Sequence, residues 1–344
     1  MKILVVGAGL AGATVARVLA EAGHDITVID KRGHIAGNAY DYTNEHGIRV
    51  HKYGSHIFHT ANEEVWNFLS RFTEWTPYKH KVKALLADGR YATLPVNRET
   101  KAMVGEENVL DIFFKPYTLK MWGMPLERLD PSIMKRVPIR DDDNEFYFPN
   151  DPYQGMPTNG YTAMVEAMLK HENIFVKTGC TFSKIFEGMF DHIFNSMPID
   201  EYHDFCFGEL PYRSIKFTTF DLPMSKILPV PVVNFTHDGP HTRITEWKNY
   251  PVHGQNDSIT TLTLEEPCDY RYNNMERYYP VKDVDGKNRE TYKKYAAIDT
   301  PKMTFIGRCG QYVYIDMHQA VGSSLAAAKR FLRNGEEEQQ AVAS

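Results

Sequence analysis

Cysteine is scarce in this sequence and shows no pairing pattern. Cys180, Cys206, Cys268 and Cys309 are scattered, with no CxxC pair and no metal-ligand spacing. That argues against a disulfide scaffold and against a cysteine-built metal centre. No apolar run approaches the ~20 residues a membrane-spanning helix needs. The apolar start is interrupted by Gly7, Gly9 and Gly12, and no cleavage site follows it, so it does not read as a secretion signal. These absences set the expectation of a reducing cytoplasm. Cationic excess is missing too: 39 Lys and Arg stand against 44 Asp and Glu, a net charge of −5. No global field draws such a chain to nucleic acid or anionic lipid, so a phosphate ligand has to be met by local arginines.

What is present is ordinary globular material, 42% hydrophobic and 24% charged, long enough for one large domain or two to three linked ones. Residues 2–6 form a short apolar run expected to be a buried parallel strand. A glycine turn, a helix over about 11–22 and a second strand over Asp25–Asp30 follow. The spacing of Val65, Trp66, Phe68 and Leu69 predicts a helix over 63–72, and 82–86 with 91–94 a hairpin around Asp88-Gly89. Residues 98–135 carry helical periodicity that Pro116, Pro125 and Pro131 cut into pieces. Residues 172–250 read as strands between proline-rich turns, 304–306 as a late strand, and 320–332 as a terminal helix before a solvated tail.

Gly7-Ala8-Gly9-Leu10-Ala11-Gly12 is a GxGxxG between the first strand and its helix. The first glycine allows the tight turn, the second lets a pyrophosphate approach the backbone, and the third lets helix and strand pack closely. The helix start offers free N–H groups and a positive dipole end to phosphates. Asp30 ends the second strand, 23 residues after Gly7, where an acid can bind ribose hydroxyls. Lys31-Arg32 and Gly37-Asn38 follow, and this continuation resembles the extended fingerprint of the FAD-binding family that includes amine oxidases and UDP-galactopyranose mutases. FAD is therefore the expected cofactor.

A second constellation, His51-Lys52-Tyr53-Gly54-Ser55-His56-Ile57-Phe58-His59-Thr60, has no acidic or cysteine partner at ligand spacing, so no metal is expected. It is similar to the loop that bacterial UDP-galactopyranose mutases lay over the flavin. Further matches follow in family order: Phe114 to Gly123, Lys135-Arg136-Val137-Pro138-Ile139-Arg140, Tyr153 to Pro157, Gly160-Tyr161-Thr162, Leu210 to Ser214, Thr242 to Glu246, Tyr278 to Val281 and Gly307 to Gln319.

The resemblance implies an α/β fold: a Rossmann-like FAD-binding domain with an inserted small helical domain and an antiparallel β-sheet domain. Mapped onto the chain, residues 1–60 and 301–333 form the FAD-binding part, and 61–80 with 98–135 a short helical insertion. Residues 81–97 and 136–300 form a mixed β-sheet and substrate region that returns to the FAD domain, and 334–344 a disordered tail. It implies an isomerase of galactofuranose biosynthesis that interconverts UDP-galactopyranose and UDP-galactofuranose, or a closely related nucleotide hexose. The reaction runs through a covalent flavin N5–sugar adduct with no net redox change, after reduction by NAD(P)H or another reductant, in a homodimer. By the same resemblance Arg140 and Arg243 clamp the diphosphate, with Tyr279 and Tyr314 donating from the other side, a use that suits the planar guanidinium fork. Tyr117 and Trp122 flank the uridine and its ribose, His80, Tyr147 and Asn234 meet the substrate, and His56 positions the flavin. Gly7, Gly9, Leu10, Ala11, Gly12, Asp30, Lys31, Arg32, Gly37, Asn38, His56, Ile57, Arg308, Asp316 and Met317 hold the cofactor.

The chain departs from the family in a shortened segment between Asn97 and Phe114, and in carrying His80 where relatives often have asparagine. Two other readings stand beside the mutase: an FAD-dependent oxidoreductase of amine-oxidase type, and a non-catalytic sugar-nucleotide-binding flavoprotein.

Overall fold

The computed structural model describes residues 1–131 and 138–343. Strand, turn, helix and strand open the chain as β1 (Lys2–Val6), α1 (Leu10–Glu21) and β2 (Asp25–Asp30). β1 is buried from Ile3 onward, as its unbroken apolar run requires of a strand covered on both faces. A Cβ on Gly12 would lie 1.9 Å from the Gly7 carbonyl oxygen, so only glycine lets α1 dock this closely. β1 lies at the centre of a five-stranded parallel sheet ordered 174–178, β2, β1, 192–195, 303–305. The chain thus leaves this sheet after β2 and returns to it twice.

The excursions build a second, seven-stranded sheet. Its middle is formed by β3 (Tyr212–Leu222), β4 (Arg243–Glu246) and β5 (Thr260–Asp269). Across it the order is 279–280, β3, β5, β4, 232–235, 82–85, 91–94. The last two are the expected hairpin, closed at Gly89 with φ +86°. The sheet is antiparallel except where 232–235 runs parallel to 82–85. Those two strands are joined by a long connection, which can enter the sheet in either direction.

The helical insertion consists of short pieces, among them α2 (Lys115–Trp122) and a 3₁₀ turn at Leu126–Arg128 after it. Pro116 does not cut a helix there: it occupies the first turn of α2, where no N–H is needed. Lys135, Arg136 and Val137 lie outside the described residues. Two helices, Tyr161–Leu169 and Lys287–Ala296, fall where no helix was expected. The last helix, α3 (Met317–Ala343), starts earlier than predicted and runs on through 334–343, where the sequence suggests a disordered tail. The Glu, Gln and Ala residues of that stretch are good helix formers. No helix among the described residues is long and apolar enough to cross a membrane.

One fully buried carboxylate ties the second sheet together. Glu246, 0% exposed at the end of β4, accepts from Ile227 N (3.0 Å), Leu228 N (2.7 Å), Asn249 Nδ2 (2.9 Å) and Thr260 Oγ1 (2.6 Å). Removing it strands backbone donors in the interior. Glu246→Ala is expected to lower the unfolding free energy by about 3 kcal/mol, read from denaturant titration; a loss under about 1 kcal/mol would show that water takes the carboxylate's place.

Candidate active site

Every strand of the parallel sheet that reaches the site presents its carboxyl end to one cavity of 280 Å³, the usual ligand position in such sheets. Gly7, Gly9, Leu10 and Ala11 line it after β1, and Asp30, Lys31 and Arg32 after β2. Gly37, Asn38, His56, Arg308, Asp316 and Met317 complete the expected set. Gly12 lies behind the turn, and Ile57 faces the neighbouring cavity instead.

The cavity's chemistry suits a dinucleotide. Gly9 caps α1 without any side-chain hydrogen bond, so the first-turn N–H groups are available to phosphate oxygens. A Cβ on Gly37 would lie 2.9 Å from Gly9 Cα, and Ala36 N donates to Ala8 O at 2.8 Å; the two glycine turns meet backbone to backbone. Asp30 accepts from Ala8 N (2.8 Å) and Arg32 N (2.9 Å). Each carboxylate oxygen keeps a lone pair for a ribose hydroxyl.

A second cavity, of 530 Å³, shares His56, Arg308, Asp316 and Met317 with the first. Its floor is the seven-stranded sheet, whose register places Asn234 opposite Arg243 and Arg243 opposite Glu265. All three line the cavity. The Arg243 guanidinium donates to the Tyr117 hydroxyl and lies 3.5 Å from Glu265 Oε2. Burial alone would lower its pKa, but Tyr117 and Glu265 more than offset this and raise it, so its charge is secure. Burial pushes the Glu265 carboxyl up, against the pull of Arg243. Of the side chains lining this cavity, Arg243 and Asn234 each carry a buried atom, Nε and Oδ1, that makes no hydrogen bond. Buried polar atoms of this kind call for a ligand.

The far wall comes from α2. Trp122 packs edge-on against Tyr279 and Tyr314, with centroids 5.2 and 5.3 Å away. His80 and Tyr147 line the near end. Tyr78 donates or accepts at 3.1 Å from His80 Nδ1; burial, helped by Arg243 and His59, pushes the His80 pKa down to about 3.

At the junction, His56 Nδ1 lies 2.7 Å from the Gly54 carbonyl, which can only accept, so the proton sits on Nδ1. Burial holds the ring's pKa at about 4, leaving a neutral imidazole with a bare Nε2. Its backbone N–H donates to His51 Nδ1 (3.1 Å), and His51 Nε2 meets His253 Nε2 at 3.0 Å. His253 Nδ1 in turn faces the Pro251 carbonyl at 2.8 Å. The His56 N–H at one end and the Pro251 carbonyl at the other thus put the His51 proton on Nε2 and the His253 proton on Nδ1.

Comparison with known proteins fits this geometry. The pattern described as UDP-galactopyranose mutase matches residues 112–314, and that of an NAD(P)-binding Rossmann-like domain matches 5–72. A probable UDP-galactopyranose mutase of Klebsiella pneumoniae is 34% identical over 96% of this chain and 94% of its own. The chain belongs to the UDP-galactopyranose mutase family. The dTDP-fucopyranose mutase of Escherichia coli is nearly as similar, 33% identical over 98% of this chain and 100% of its own. A crystal structure of reduced UDP-galactopyranose mutase shares the fold, with a TM-score of 0.75 at 16% identity, covering 96% and 93% of the two chains. A putrescine oxidase shares it less closely, at 0.54 and 12% over 96% and 99%.

For this member of the UDP-galactopyranose mutase family, two residue expectations change. Arg140 is not brought to the cavity: its Nη1 and Nη2 donate to the Phe146 and Asn144 carbonyls at 3.0 and 2.6 Å. Its backbone N–H binds Val96 O at 2.8 Å. Asp142, 3.7 Å from its Nε, helps turn the charge onto its own loop. Tyr279 lines the cavity, but its hydroxyl donates to the Met121 carbonyl, so its proton is already committed. Glu265, Tyr53, Phe148 and His318 also line the cavity without having been anticipated. A lone acid within Glu265-Glu266 gave no signal, because its place depends on strand pairing.

The buried histidines tie stability to pH. His56 and His253 titrate near 4 and His80 near 3 when folded, against 6.5 when exposed. Between those values the unfolded chain binds more protons, so stability rises with pH there and falls on acidification. Denaturation midpoints measured from pH 7 to pH 4 are expected to drop progressively below pH 6.5. A flat profile would mean the rings charge without cost.

Proposed function

We propose that the chain is a flavin-dependent mutase, with FAD in the first cavity and a nucleotide-linked hexose in the second. On this reading it interconverts UDP-galactopyranose and UDP-galactofuranose without net redox. The observation that carries the reading is Arg243: a half-buried cation whose own Nε is buried without a hydrogen bond, on the wall of a cavity that shares its lining with a dinucleotide site. An amine substrate has no use for such a group; a diphosphate does.

Reduced FAD, when bound, supplies a nucleophilic nitrogen for the sugar's anomeric carbon. The remaining work falls to the chain's own residues. Arg243 faces the charge that grows on the departing diphosphate and keeps the detached nucleotide within reach, an electrostatic role that needs no reorganisation. Tyr117 orients the guanidinium, and Glu265 balances its charge. Asn234 offers a carbonyl oxygen to a sugar hydroxyl. Trp122 and Tyr314 supply aromatic faces and edges for base and ribose. The neutral His56 keeps its one ring proton on Nδ1, bound to the Gly54 carbonyl; near pH 7 it presents Nε2 as an acceptor that orients the bound groups. The aromatic walls around His80 and Phe148 exclude water. NAD(P)H or another reductant, a homodimer and a cytoplasmic setting belong to the same reading.

The similarity to the dTDP-fucopyranose mutase, together with His80, favours one second reading: a dTDP-linked 6-deoxyhexose as substrate. Dithionite-reduced protein incubated in parallel with UDP-galactofuranose and dTDP-fucofuranose decides between them by chromatography of the products. Conversion of the first, and only after reduction, is expected; conversion of neither would remove the mutase assignment. Arg243→Ala is expected to reduce turnover by roughly 10²–10³-fold while the flavin absorbance per chain stays the same. Wild-type turnover in that variant would show that the charge is not used.

A further inference from the structure

Residues 273–278, between β5 and the strand Tyr279–Pro280, form a strap along the first cavity, and its residues Met275, Glu276 and Arg277 line that cavity. Asn274 and Met275 are consecutive non-glycine residues at φ +52° and +59°, a conformation that Asn tolerates singly but that a residue such as Met avoids. Contacts, not local preference, therefore hold the strap in place. Its roots are fixed to β3: Asn273 Nδ2 donates to Ser214 Oγ (2.9 Å) and Ile215 O (3.1 Å), and Tyr278 N donates to Arg213 O (3.0 Å).

Between the roots, two ion pairs reach the parallel-sheet side of the cavity. Glu276 Oε2 accepts from Arg32 Nη2 at 2.6 Å, with Lys31 Nζ 3.7 Å from its other oxygen. Arg277 Nη1 meets Glu201 Oε2 at 2.6 Å. Arg32 is itself held, over the Tyr53 ring at 4.3 Å and on Asn38 Oδ1 at 2.9 Å. Burial would raise the Glu276 pKa, but Arg32 and Lys31 lower it, so the fastening is ionic. Glu276 and Arg277 stand far along the chain from the glycine turns, and the cofactor fingerprint does not include them.

We propose that the 273–278 strap is the retaining latch of the cofactor cavity, fastened by Glu276 on Arg32 and Arg277 on Glu201, and that it must lift for the dinucleotide to enter or leave. This rests on the reading that the first cavity holds FAD. Flavin release from the loaded protein, followed by the rise in free-flavin fluorescence after dilution, tests it. Glu276→Ala is expected to release FAD roughly tenfold faster than wild type, and raising the ionic strength is expected to narrow that gap. The double variant Arg32→Glu/Glu276→Arg is expected to release more slowly than Arg32→Glu alone. FAD uptake with the same release rate in wild type and Glu276→Ala, or a double variant no slower than Arg32→Glu, overturns the latch. A wild-type protein that takes up no FAD overturns the reading of the cavity, and the latch with it.

Discussion

A guanidinium drawn partly out of water has to be partnered, and the way Arg243 is partnered organises the substrate side of this molecule. Its charge is balanced on one side by Glu265, one strand away, and oriented on the other by Tyr117 from the helical insertion. With Glu265 buried and Arg243 half-buried, such a pair is weak evidence for stability, because desolvation consumes most of the Coulombic gain. Here the pair is also loose, since Arg243 Nε stands 3.5 Å from Glu265 Oε2 and makes no hydrogen bond. A fold that retains such a group is one whose ligand completes it, and a diphosphate has the charge and geometry to do so.

The architecture brings that cation next to the dinucleotide cavity through two sheets with different tasks. The parallel sheet gathers loops at the carboxyl ends of its strands and, with the glycine turns, builds a groove lined by backbone. The seven-stranded sheet aligns side chains in a row by register. His56, Arg308, Asp316 and Met317 belong to both cavities, so the two sites are neighbours that share a wall. The histidine chain from His56 through His51 to His253 fixes that junction with neutral hydrogen bonds, leaving the cationic work to arginine.

Much of the groove was legible in the sequence because its cause is local. Gly7, Gly9 and Gly12 stand at fixed spacing beside a strand and a helix, and Asp30 follows at strand length. The helix Tyr161–Leu169 was also legible: its buried residues, Tyr161, Met164, Val165, Met168 and Leu169, have amphipathic spacing, yet no helix was expected there. Glu265 could not be read, since it stands beside Glu266 in what looks like a solvated acidic pair, and only the pairing of β4 with β5 turns it toward Arg243. Arg140 shows the converse limit. A motif fixes where a residue lies along the chain, while the direction of its guanidinium depends on carbonyls supplied by Asn144 and Phe146. Glu276 and Arg32, 244 residues apart, meet only through the tertiary fold.

The claim that Arg243 holds the nucleotide's diphosphate is tested most directly by the affinity for UDP itself, without chemistry. Titration calorimetry of UDP into the reduced wild-type protein and into Arg243→Gln, each loaded with FAD, isolates the charge. Binding weakened by at least about thirtyfold in the variant is expected for a desolvated charge-assisted contact. Equal affinity in the two proteins would contradict the account, and would place the diphosphate elsewhere in the cavity.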